Sequence, residues 1–145
     1  MILVDVGVWL AATWGRHARH RVARQWFNEQ SRDLMLCRVT QMSLLRLVTN
    51  PAVMADDVVT RGEAWRIIDV LWSDERVLWA EEPDELEAVF RAISARSDTS
   101  HKLWTDDYLA AFAQASDASL ATLDTKLSAR YPSVHVEVLT GTRAE

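Results

Sequence analysis

Ile2-Leu3-Val4-Asp5 and, far along the chain, Leu120-Ala121-Thr122-Leu123-Asp124 are apolar runs that end on or just before an aspartate. An unbroken apolar run is the pattern of a strand buried on both faces, as in a parallel sheet. Ligands of such sheets gather beyond the carboxyl ends of the strands. An aspartate placed there is costly unless it is paired or put to use. Val39-Thr40-Gln41 and Trp104-Thr105-Asp106-Asp107 add further polar groups from other parts of the chain. Carboxylates gathered from such distant positions point to a cradle for a hard divalent cation.

Outward from these runs, strands and helices alternate. The first fourteen residues read as a strand to Asp5 followed by a loop. The apolar positions Ala18, Val22, Ala23, Trp26 and Phe27 predict a helix over 17–30, and a short strand is expected at 34–37. Thr40 is placed as the cap of a helix carrying Leu44, Leu45, Leu47 and Val48, stopped by Asn50-Pro51. Thr60-Arg61-Gly62-Glu63 has the capping-box pattern and opens a helix with Ala64, Ile67, Ile68 and Leu71 inward. A weak strand follows at 77–79, and Pro83 is set in the first turn of a helix with Leu86, Val89, Phe90 and Ile93. Thr105 is read as the cap of a helix running to about Ser116, before strands at 120–123 and 134–139. This alternation predicts a three-layer α/β/α sandwich around a mainly parallel sheet of four to five strands, with residues 1–145 as one domain. If the first strand and the strand at Leu120 flank the point where strand order reverses, Asp5 and Asp124 meet there.

Composition narrows the classes. A chain of 145 residues with 49% apolar content has ample material for a core. The apolar opening contains Asp5, lacks a basic leader and is too short to span a bilayer, so neither signal nor membrane anchor is expected. The lone Cys37 reads as a small buried hydrophobe in a reducing compartment, which makes the cytoplasm the expected location. A net charge of −5 argues against a general nucleic-acid coat protein. Its distribution is uneven: no acid lies between Val6 and Asn28, a stretch holding Arg16, His17, Arg19, His20, Arg21 and Arg24. That stretch is either a solvated helix face or a phosphate-facing patch beside an acidic centre. His17 and His20 lack the further ligands that zinc requires. Trp9, Trp14 and Trp104 lie near the acids in sequence and could stack bases, although core packing explains most of the seven tryptophans. No serine elbow, Walker loop or dinucleotide-binding glycine motif is present.

Asp106 and Asp107 are consecutive, so about 100° separates them on a helix and only one can face a given crevice. The string His101-Lys102-Leu103-Trp104-Thr105-Asp106-Asp107-Tyr108-Leu109-Ala110-Ala111-Phe112-Ala113 resembles a segment of PIN-domain ribonucleases, and more narrowly of the VapC toxins of bacterial type II toxin–antitoxin pairs. Leu120-Ala121-Thr122-Leu123-Asp124, Cys37-Arg38-Val39-Thr40-Gln41, Leu45 to Pro51 and Ile2 to Asp5 extend the likeness over nearly the whole chain. Carried over residue by residue, the resemblance puts Asp5, Asp106 and Asp124 on the family's metal-site acids and makes Asp107 the bystander, read as solvated in preference to a charge that strengthens metal attraction.

The resemblance implies an endoribonuclease dependent on Mg²⁺ or Mn²⁺, a phosphodiester hydrolase acting through metal-activated water. Asp5 and Asp106 would be the innermost ligands, Asp124 would hold a water or a second ion, and Gln41 would orient water or RNA. Thr122, two residues before Asp124, is either a hydrogen-bonding member of the site or an ordinary β-branched strand residue. The implied partners are an RNA substrate, a cognate VapB-like antitoxin and a second copy of the chain in a homodimer. Two positions depart from the pattern: Gln41 where many PIN domains carry glutamate, and Gly7 where the family often has a small polar residue. They motivate an alternative, a catalytically silent PIN fold that binds RNA or protein. An aspartyl-phosphate receiver ranks last, because Asp5 stands alone at the first strand.

Overall fold

A computed structural model describes residues 1–140. The expected strand β1 (Ile2–Val4) is central and fully buried, and it pairs in parallel with β2 (Leu34–Leu36) on one side and β4 (Ser119–Thr122) on the other. Outside them lie β3 (Val77–Trp79) and β5 (Val136–Val138), giving the order β3-β2-β1-β4-β5 with every pairing parallel. Side chains of a strand alternate between faces. Ile2 and Val4 accordingly enter one core with Leu34, Leu36 and Ala121, while Leu3 enters the other with Met35 and Leu120.

Helices α1 (Val6–Thr13), α2 (His20–Glu29), α3 (Arg38–Val48), α4 (Pro51–Met54) and α5 (Arg61–Trp72) cover the first face. Helices α6 (Leu86–Ser94), α7 (Trp104–Ala115) and α8 (Leu127–Arg130) build the second. The result is the three-layer α/β/α architecture. Strand order reverses between β1 and β4, which opens the crevice directly beyond Val4 and Thr122.

Several local expectations are corrected. Residues after Asp5 are helical: Asp5 is itself the cap, its carboxylate accepting from the Val6 amide at 2.7 Å. Helix α1 was hidden because Val8, Trp9, Leu10, Ala11 and Ala12 are all buried, which erases the one-sided period. Helix α2 begins at His20, three residues after its expected start. Cys37 caps α3, and Thr40 sits a turn inside, donating to the Cys37 carbonyl at 3.0 Å. Asn50-Pro51 both stops α3 and starts α4, with Asn50 accepting from the Ala52 amide at 2.9 Å. Pro83 lies in the turn before α6, not in its first turn. Helix α7 starts at Trp104 after Leu103, so Thr105 is inside it and not its cap. The capping box of Thr60 and Glu63 is formed as expected.

Candidate metal centre at the carboxyl end of the sheet

Asp5 is fixed by the strand-to-helix turn. Its amide donates to the Ala121 carbonyl at 2.9 Å, tying it to β4. One carboxylate oxygen accepts from Val6, and the other accepts from the Thr122 hydroxyl at 2.9 Å. The same Thr122 oxygen accepts from the Asp124 amide at 3.1 Å. Thr122 is fully buried and joins the two strand-end aspartates into one unit. Asp124 in turn accepts from the Lys126 amide at 2.9 Å, which holds its carboxylate against the turn into α8.

Asp106 enters from the first turn of α7, half-buried, with Arg130 of α8 donating to it at 3.3 Å. Burial pushes the Asp5 carboxyl above the ordinary range, against the Thr122 and Val6 hydrogen bonds, and repulsion from Asp124 adds to the rise. Burial also raises Asp106, followed by repulsion from Asp5, with Arg130 pulling the other way and Asp124 and Asp107 pushing up. The three acids therefore share one electrostatic field.

Asp107 departs from expectation. It is buried, not solvated, and accepts from the Tyr131 hydroxyl, so it braces α7 against the chain just after α8. Burial, then that bond, raises the Tyr131 phenol well above its usual value. Gln41 lies in the first turn of α3, buried, with its side-chain carbonyl accepting from Arg38 at 2.5 Å. Among the described residues it makes no hydrogen bond to Asp5, Asp106 or Asp124. Gly7 sits beside Asp5, and a Cβ built there would meet no heavy atom within 4 Å, so packing does not demand the glycine. Of the three tryptophans considered for stacking, Trp9 is fully buried, Trp14 donates to Asp57 at 2.7 Å, and Trp104 is 56% exposed. Arg130 and Tyr131 were not singled out in the sequence. Only their spacing after Asp124 could have flagged them, and that spacing means little until α8 is known to turn back.

The donors suit a hard cation, being carboxylate oxygens with no competing sulfur or imidazole in the set. Two carboxylic acids raised by burial, with repulsion from Asp124 adding at Asp5 and repulsion from Asp5 adding at Asp106, are a site that positive charge would relieve. Among the described residues, no three His, Cys, Asp or Glu side chains stand close enough to form a ready-made chelate. Arg130 supplies positive charge at Asp106.

Comparison with known proteins agrees with this architecture. The family model of the PIN domain matches residues 2–131. Ribonuclease VapC41 of Mycobacterium tuberculosis is 37% identical over 145 residues, covering 96% of this chain and 99% of that protein. Ribonuclease VapC29 of the same organism is 30% identical over 144 residues, covering 97% and 98%. Among solved structures, the sarcin-ricin loop cleaving toxin VapC20 of M. tuberculosis superposes with a TM-score of 0.67 at 17% identity, over 89% of this chain and 94% of that one. The VapBC2 complex of Rickettsia felis, bound to a DNA fragment from its promoter, gives 0.68 at 14% identity over 95% and 98%.

Proposed function

The chain belongs to the PIN-domain family of VapC ribonucleases, and on that premise we propose that it is a Mg²⁺- or Mn²⁺-dependent endoribonuclease, the toxin of a type II toxin–antitoxin pair. The observation that carries the reading is the Thr122 bridge, which holds Asp5 and Asp124 together at the reversal of strand order, within the field of Asp106.

Asp5 and Asp106 would hold the divalent cation, with Asp124 supporting it from the neighbouring strand end. When bound, such an ion supplies Lewis acidity to activate water and to offset charge developing on a phosphate. The residues of the chain do the rest. Thr122 fixes the rotamer of Asp5 by donating to one oxygen, while Val6 engages the other. Lys126 fixes Asp124 through its amide. Arg130 partly neutralises Asp106 and would turn toward an incoming phosphate once Asp106 is otherwise engaged. Cleavage by water at the phosphodiester would leave a 5′-phosphate and a 3′-hydroxyl. Gln41, held by Arg38, would orient water or RNA from the first turn of α3.

The fold neighbour from Rickettsia felis, solved as VapBC2, supports a VapB-like antitoxin partner. The substrate would be a cellular RNA and the active form a homodimer. No helix among the described residues is long and apolar enough to cross a membrane, and the cytoplasm is the proposed place of action.

The test is induced expression in a bacterial host, wild type beside Asp5→Ala, with sequencing of RNA 5′ ends. Growth arrest with discrete new 5′-phosphate ends, absent in the variant, is the expected result. Healthy growth and unchanged RNA with soluble wild-type protein would replace the enzyme with the silent binding module.

A further inference from the structure

Beside the acid centre, between the end of α6 and the start of α7, lies a cavity of about 330 Å³. Its lining includes Arg96, Thr99, Ser100, His101, Trp104 and Arg130. Arg130 belongs to both places: one guanidinium nitrogen reaches Asp106, and the side chain also walls the cavity. An arginine carries five N–H donors, so the bond to Asp106 leaves others available.

Trp104 is the anomaly that gives the cavity meaning. A large aromatic at the first position of a buried helix is 56% exposed while Leu109 to Ala113 behind it are wholly covered. Its ring packs edge-on against Phe90, with centroids 6.3 Å apart, and turns the rest of its surface outward. Arg96 spends its Nε on the Ile93 carbonyl at 2.9 Å, and its terminal nitrogens have no partner among the described residues. The two acids in the lining each take a local donor, Asp98 from the Ser100 amide at 3.0 Å and Asp107 from Tyr131, and the two arginines match their charge. The groups able to meet a nucleotide's base and phosphate are an aromatic face, two guanidinium groups, an imidazole and hydroxyls.

Resting on the ribonuclease reading, we propose that this cavity is a nucleotide subsite of the RNA track. The base of a residue flanking the cleaved bond stacks on Trp104, and its phosphate is held by Arg96 and Arg130. Base stacking on an exposed aromatic with guanidinium groups along the backbone is the recurring chemistry of single-stranded RNA recognition. The shared Arg130 sets the cavity next to Asp106 of the acid centre, which favours the cleaved strand itself as occupant over a protein segment.

The test measures anisotropy of a short fluorescein-labelled single-stranded RNA of mixed sequence in an Asp5→Asn background, which binds without cutting. Trp104→Ala is expected to weaken binding about tenfold. Trp104→Phe should recover most of that loss, because it retains a stacking face. Arg96→Gln should lower the slope of log affinity against log salt by about one contact. Unchanged thermal midpoints separate these effects from loosening of the Phe90 contact. Equal RNA affinity in Trp104→Ala overturns the subsite, including the case where that variant instead loses antitoxin binding. The readout does not depend on cleavage: a wild type that cuts RNA while Trp104→Ala binds normally removes the subsite alone. A wild type that cuts nothing, with Trp104→Ala still weakened, removes the enzyme and keeps the RNA track.

Discussion

At the amino end of the sheet, Arg76 closes on Asp74 with bonds of 3.0 and 2.8 Å, caps the last carbonyls of α2 at Phe27 and Gln30, and lies 4.6 Å over the Phe27 ring. Arg32, just before β2, takes Glu137 of β5 in a two-bond fork. At the carboxyl end Asp5, Asp106 and Asp124 are coupled through repulsion, and Arg130 meets Asp106 at 3.3 Å. The titration directions follow. Arg76 holds Asp74 below the ordinary carboxylate range and Arg32 does the same for Glu137, whereas burial raises Asp5 and Asp106, with repulsion from Asp124 adding at Asp5 and repulsion from Asp5 at Asp106. One end of the sheet uses charge to hold the layers together, and the other stores repulsion that a ligand would relieve.

The sharpest break of this contrast is loss of function without loss of fold. Asp5→Ala, Asp106→Ala and Asp124→Asn are each expected to lower RNA cleavage by about 10²-fold or more while circular dichroism stays native. A folded, active Asp106→Ala alongside an inactive Asp107→Ala would reassign the first turn of α7. Arg76→Ala should do the reverse, costing about 2–3 kcal/mol in urea unfolding while cleavage per folded molecule is retained. Asp107→Asn weakens a buried brace and should cost about 1–2 kcal/mol with activity preserved.

Acidity separates the two ends by sign. Raised acids stabilise the fold fully below the ordinary carboxylate pKa of about 4 and lose that contribution as pH climbs through their elevated values. Asp5→Asn should therefore raise Tm in metal-free buffer at neutral pH by about 2–4 °C, with the gain vanishing near pH ~4. Lowered acids behave oppositely, so the deficit of Arg76→Ala should shrink as pH falls through the depressed values of Asp74. The smallest effect is at Gly7, where alanine meets open space and should add at most about 0.5 kcal/mol.

The strands were legible because burial on both faces leaves an unbroken apolar run, and Asp5 and Asp124 stood out as charges ending such runs. Total burial also concealed α1, where the helical period has no polar side to mark it. The caps of α3 and α7 were misplaced by assigning hydroxyl residues to the helix edge. Cys37 and Leu103 hold those positions, and Thr40 acts from inside the first turn. Asp107 read as solvated because its partner Tyr131 lies 24 residues away, a contact that no local pattern announces. Arg130 escaped notice for the same reason, since a lone arginine acquires meaning only when the chain after Asp124 returns it to the first turn of α7.

The central position of β1 has a consequence for how the molecule comes into being. The bond between Thr122 and Asp5 spans 117 residues. During synthesis the first strand must wait for β4 before its second edge is closed, and such late, distant pairings slow folding. The emerging polypeptide therefore carries Asp5 for most of its translation with no Asp106 or Asp124 to complete the centre. The unit of Asp5, Thr122 and Asp124 is thus a late product of translation, assembled only when β4 pairs with β1.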